Sequence, residues 1–184
     1  GFDTGPGNCL LDRWASEHLH KTYDANGDWS ATGSVIPELL EKLLSDKYFA
    51  LAPPKSTGTE YFSLQWLQQH LDAMTSLGPA DVQATLRACS ANSIANAVSA
   101  YSPEVTEVLV CGGGAHNEHL MTEIQRALKT TPVRSTMEYG VDPDWIEAMA
   151  FAWLARQTLE KQPGNLPAVT GAQKPSILGG IYYA

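Results

Sequence analysis

Between residues 107 and 137 the sequence reads EVLVCGGGAHNEHLMTEIQRALKTTPVRSTM, and no other stretch constrains the fold as much. A short apolar run ends on three consecutive glycines, an amphipathic helix pattern follows over HLMTEIQRAL, and VRSTM is a second strand candidate. Strand, glycine turn, helix, strand is the order of an α/β chain. Glycines between a strand end and a helix start leave the backbone open, with no Cβ in the way and free N–H groups pointing outwards. Such a turn can seat a nucleotide, or it can serve tight packing alone. Gly112, Gly113 and Gly114 do not have the spaced glycines of a dinucleotide fingerprint.

Upstream, the pattern is mostly helical. GFDTGPGN reads as the tail of a strand ending in a Gly-Pro-Gly turn, as if the chain were a fragment. Asn8 is placed to cap a helix through LLDRWASEHLH, with Leu11, Ala15 and Leu19 on one face. YDANGDWSATG is a loop by composition. Aligned as a calcium loop from Asp24, it puts Trp29 where glycine is required and Val35 where a bidentate Glu is required, so an Asx-type turn is preferred. Helices are predicted over IPELLEKLLSD with Pro37 in the first turn, over LQWLQQHLDAM after Ser63, and over PADVQATLRACSANSIANAVSAY from Pro79. The small residues of the last allow close packing. A final helix, DPDWIEAMAFAWLARQTLEK, begins near Asp142, and LPAVTGAQKPSILGGIYYA reads as loop with room for one short strand.

With 43% hydrophobic residues, 184 residues suffice for one domain with a core. A net charge of -8 with few, scattered Lys and Arg argues against a nucleic-acid surface. No apolar run reaches bilayer length and no leader pattern is present. Cys9, Cys89 and Cys111 are far apart, odd in number and set in apolar surroundings. They read as small buried thiols in a reducing, cytoplasmic compartment.

Several residues are candidates for chemistry. Glu147 is the only charged residue from Trp145 to Ala155, and Phe151 and Leu154 share its face, so the pattern predicts a buried helix. A carboxylate there must be paired, hydrogen-bonded or protonated. It either bonds a neighbouring helix end or Arg, or it faces a polar pocket. His116 and His119 lack the order of a zinc protease, and no metal site is expected, but His116 and Asn117 stand next to the glycine turn. PPKSTGTEYF carries Lys55, Ser56, Thr57 and Gly58 without phosphate-loop spacing, and either contacts an anionic ligand or covers the core. Asp3 either bonds its own turn amides or serves as a catalytic base.

GFDTGPGN with LLD, PPKSTGTEYF, CGGGAHN, DPDWIEAMAFAWLA and LPAVTGA occur in one order. Together they resemble the carboxy-terminal half of the anhydro-N-acetylmuramic acid kinases, bacterial cell-wall recycling enzymes of the sugar-kinase, heat-shock-protein and actin superfamily. The resemblance implies that residues 1–184 are the second lobe of an actin-like ATPase fold. That lobe is α/β, with a mixed sheet of the ribonuclease H type flanked by helices and a helical insertion around residues 30 to 80. By the same resemblance, the amino-terminal lobe and first strands would be missing from this chain. The resemblance also implies ATP and Mg²⁺ as cofactors, opening of a 1,6-anhydro sugar by water, and phosphorylation of O6 in the bacterial cytoplasm.

In such an enzyme Asp3 would take a proton from the attacking water, and Glu147 would orient the sugar or the same water. Gly112, Gly113, Gly114 and Asn117 would hold the adenosine. These residues are expected along one cleft edge. The implied partners are the amino sugar, ATP, the missing lobe and a second copy in a homodimer, with no nucleic acid and no membrane. The phosphate loop has no counterpart here, so the chain alone is expected to bind ATP poorly and to catalyse nothing. Two other readings remain open: a non-catalytic nucleotide-binding lobe, and a kinase of the same fold acting on another sugar or an acyl phosphate.

Overall fold

A helix rich in Ala and Ser can be approached closely on every side, and the longest helix, α6 (Pro79–Tyr101), is such a helix. The computed structural model describes residues 1–72 and 74–182, and in it every residue from Val82 to Ala91 is buried. Packed around α6 are α1 (Cys9–Leu19), α2 (Asp28–Thr32), α3 (Pro37–Leu44) and α7 (Glu118–Leu128). Two clusters form the core. One joins Leu10, Leu11, Leu39, Leu43, Phe62 and Leu67 to Val82, Leu86 and Cys89 of α6, and draws in α5 (Leu64–Leu71). The other joins Ala91 and Ala95, further along α6, to Leu120, Ile124 and Leu128, which recur every four residues on one face of α7.

The strand, turn, helix, strand order is found as expected. β1 (Val108–Val110) and β2 (Val133–Ser135) pair in parallel, Val108 with Val133 and Val110 with Ser135, and α7 is the crossover between them. Parallel strands need such a connection because their ends lie at opposite edges. The chain is thus a helix-rich α/β structure with a small parallel sheet among the described residues.

Local departures from the sequence reading have local causes. Residues 1–4 form no strand: Asp3 N–H donates to Lys55 O at 3.2 Å, and one such bond is not a ladder. Asn8 stands at the N-cap of α1, but its side chain bonds Asp12 Oδ2 at 3.1 Å instead of the helix amides. Ser63 does cap α5, accepting from Trp66 N–H at 3.2 Å; the predicted stretch beyond Leu71 includes Ala73, outside the described residues. In YDANGDW the Asp24 carboxylate accepts from Trp29 and Ser30 N–H, both at 2.9 Å. These amides lie five and six residues on, not the two of the expected Asx turn, and the bonds satisfy the first turn of α2, a helix where the composition suggested loop. A further short helix, α4 (Lys47–Ala50), follows α3 and is capped by Asp46.

The largest correction concerns the last helix. A 3₁₀ turn over Pro143–Trp145 leads into α8 (Ile146–Leu159), which has no buried residue. Phe151 is 68% and Trp153 51% exposed, and Glu147 is exposed with them. A helix apolar on all sides needs partners on several sides, and the described residues supply contacts mainly from the turn that precedes it and from Leu178. The tail forms a short helix, α9 (Pro167–Thr170), and no strand up to Tyr182; Tyr183 and Ala184 lie outside the described residues. Cys89 is buried, which pushes its thiol up to about 12, whereas Cys111 is exposed at the mouth of the glycine turn, contrary to expectation. Among the described residues no helix is long and apolar enough to cross a membrane.

Phe62 is fully buried, with the rings of Tyr48, Phe49, Tyr61 and Trp66 centred 5.0 to 5.6 Å from its own. Phe62→Ala is expected to lower stability by about 3–5 kcal/mol. Urea unfolding should show this as a shifted midpoint at an unchanged slope.

Candidate functional site

At the carboxyl end of β1 the chain turns through Gly112, whose φ of 73° favours glycine. Its N–H donates to Pro143 O at 2.9 Å. A 3₁₀ turn follows over Gly113–His116, and Asn117 caps α7 by accepting from Leu120 N–H at 2.8 Å. His116 Nε2 lies 3.0 Å from Asp144 Oδ1. Two bonds therefore tie the glycine turn to the Pro143–Trp145 turn that leads into α8.

The facing wall comes from α1 and the 23–27 loop. Asn26 Oδ1 accepts from Glu118 N–H at 3.2 Å, which docks that loop on the start of α7. The fit is close: a Cβ on Gly27 would lie 2.3 Å from Asn117 Oδ1. Between the walls lies a cavity of about 490 Å³ whose lining includes Asn8, Asp12, Gly113, Gly114, Asn117 and Asp144. That volume suits a small organic ligand. The end of a parallel strand is also where open α/β sheets bind ligands.

Three carboxylates, Asp12, Asp24 and Asp144, line the cavity. Asp24 is 7% exposed and satisfied by the amides it caps. Asp12 is only half-buried, yet burial, with the Asp24 charge beside it, raises it to about 6. The site therefore offers hydrogen-bond acceptors for hydroxyl donors on one wall and glycine backbone on the other. No group of three or more His, Cys, Asp or Glu able to hold a metal ion occurs among the described residues.

The residues singled out from the sequence fall into three places. Gly113, Gly114 and Asn117 line the cavity, and Gly112 bonds the turn behind it. Asp3 does not line the cavity, and its carboxylate bonds across the chain instead of to its own turn. Oδ2 accepts from Ser56 Oγ at 2.8 Å and from Thr57 N–H at 2.9 Å. The PPKSTG loop thus touches Asp3. Glu147 lies in the first turn of α8, three residues after Asp144, with no hydrogen bond or ion pair among the described residues. Sequence reasoning missed Asp12 and Tyr23 as cavity residues. The spacing of Asn8 and Asp12, four apart on a helix, is the signal that could have paired them.

A strand, a glycine turn and a capped helix opening on a cavity define a helix-rich α/β structure with a candidate ligand site at its strand end. Comparison with known proteins makes the class more particular. The family model of anhydro-N-acetylmuramic acid kinase matches residues 1–184, and the chain belongs to that family. It is 53% identical over 184 residues to the anhydro-N-acetylmuramic acid kinase of Pseudomonas syringae pv. syringae (strain B728a), covering 100% of this chain and 50% of the relative. It is 51% identical over 183 residues to the enzyme of the same name from Coxiella burnetii (strain Dugway 5J108-111), covering 100% and 49%. The chain spans about half the length of the curated relatives it matches.

The raised Asp12 carboxyl carries a pH signature. The folded chain keeps this proton up to about 6, while the unfolded chain releases it near 3.8. The fold therefore binds more protons in that window, and this group's contribution lowers stability as pH rises through it. Carboxyl ¹³C NMR should give a midpoint near pH 6 for Asp12, and Asp12→Asn should flatten that part of the stability curve.

Proposed function

We propose that the chain is the second lobe of an ATP-dependent kinase that opens 1,6-anhydro-N-acetylmuramic acid with water and phosphorylates O6. The observation that carries this reading is the family match over the whole chain, which includes the Asp3, glycine-turn and Glu147 motifs. The cavity supports it. Its volume and the open backbone at Gly113 and Gly114 fit an adenosine, and the Asn8, Asp12 and Asp144 side chains offer partners for hydroxyls and amino groups. Asn117 spends its amide oxygen on capping α7, which leaves its NH₂ for a ligand. ATP would supply the phosphoryl group, and Mg²⁺, for which the described residues offer no cluster of His, Cys, Asp or Glu ligands, would neutralise charge on it.

The chain's own residues supply the acid–base chemistry. Asp3 takes a proton from the water as its oxygen bonds the anomeric carbon. The bond from that carbon to O6 breaks, and O6 bonds the γ-phosphorus of ATP as the bond from that phosphorus to the departing ADP breaks. Glu147, exposed and unpaired in the described structure, orients the sugar or the same water. The bare apolar surface of α8 fits a lobe that the rest of the parent protein covers. In the same reading β1 and β2 belong to a larger mixed sheet of the ribonuclease H type, and the parent is a cytoplasmic homodimer.

The test is conversion of the anhydro sugar by the parent protein with ATP in ¹⁸O-labelled water. Label should appear at the anomeric hydroxyl of a 6-phosphorylated product, and Asp3→Asn should slow turnover about 10²–10⁴-fold with ATP binding retained. Normal turnover by Asp3→Asn refutes the base assignment. An untouched anhydro sugar with ATP still bound refutes the substrate. Residues 1–184 alone should yield no product, and turnover by them would overturn the two-lobe reading.

A further inference from the structure

We propose that Ser56, together with the backbone amide of Thr57, is the positioning device of Asp3 and decides which of its carboxylate oxygens faces the substrate. The proposal rests on the reading of Asp3 as the base. Asp3 is exposed and lies in a segment without secondary structure, where a short side chain would otherwise sample several rotamers. Both donors converge on one oxygen: Ser56 Oγ is 2.8 Å and Thr57 N is 2.9 Å from Oδ2. Oδ1 has no hydrogen-bond donor among the described residues. One oxygen is thus held, and the other is free to take a proton from water.

The backbone under this carboxylate is held as well. Asp3 N–H donates to Lys55 O at 3.2 Å, and the Tyr48 hydroxyl donates to Asp3 O at 2.8 Å. Lys55, next to Ser56, is anchored to the same helix: its Nζ donates to Tyr48 O at 3.1 Å and lies 4.7 Å from the centre of the Tyr48 ring. Tyr48 is 4% exposed and belongs to the core. A rigid anchor in the core thus fixes two neighbouring strings of chain, one carrying the base and the other its donors. Proton transfer depends steeply on such alignment.

Ser56 touches the base and acts through it, so its removal should affect the chemical step more than binding. In the parent enzyme, Ser56→Ala is expected to lower kcat about ten- to hundredfold, the value of one hydrogen bond to a charged group. KM for the sugar should stay within about twofold. Ser56→Thr, which keeps the hydroxyl, should restore most of kcat. Ser56 is exposed, so melting temperatures should match the unsubstituted protein. Three outcomes overturn the positioning role: Ser56→Ala at full kcat while Asp3→Asn is inactive, a rise in KM alone, or Ser56→Thr as slow as Ser56→Ala. Full activity of Asp3→Asn is a different result, because it removes the base reading on which the proposal stands.

Discussion

The polar side chains buried along α6 hold the segments that carry the site. Ser90 donates from its hydroxyl to Gly7 O, within the Gly-Pro-Gly turn that follows Asp3. Gln83 Nε2 donates to Leu11 O at 3.1 Å and fixes α1, the helix that presents Asn8 and Asp12. Arg87 Nη1 donates to Ser30 Oγ at 2.7 Å and holds α2 beneath the Asp24 cap, while Thr85 accepts from Ile36 N–H at 3.0 Å at the start of α3. Burial pushes the Arg87 guanidinium down, and Glu123 of α7, 3.7 Å away, opposes that shift. Polar groups in a dry interior must find partners, so each of these bonds selects one arrangement of the surrounding helices over its neighbours.

A second hub lies at Asp46 and Tyr48. Burial acts against the Asp46 charge, but hydrogen bonds from Tyr48 N–H, the Trp66 indole and the Tyr61 hydroxyl outweigh it and hold the carboxyl below its ordinary range. Those bonds fix α4 against α5 and the aromatic cluster around Phe62. Tyr48 then carries the order outward to Asp3 and Lys55. The surface that presents the proposed base is therefore continuous with the core, although it contains no helix or strand of its own.

The glycine turn is held differently, by α8's leading turn. Gly112 N–H bonds Pro143 O, and His116 pairs with Asp144. Glu147 follows within one helical turn. The geometry here accounts for the cavity at the glycine turn and the hydrogen bonds that hold Asp3, while α8 presents Glu147 on an uncovered surface.

Much of this order was legible in the residues. The strand, glycine turn, helix and strand between 107 and 137 declared themselves because each has its own local chemistry: an apolar run, absent Cβ atoms and a four-residue hydrophobic repeat. Ser63 as a cap and Pro79 as a helix start were legible for the same reason. The burial of α8 was misread, because an apolar pattern states only that a helix seeks partners and not whether this stretch of chain contains them. The partners of Asp3 could not be read either. Ser56 and Thr57 lie more than fifty positions away, and no periodicity links residues joined by a fold across that distance. The sequence by itself determined the local elements and the family. Tertiary structure alone decided which side chains meet, because contacts such as Gln83 with Leu11 or Asp3 with Ser56 depend on how α6 and Tyr48 bring distant segments together.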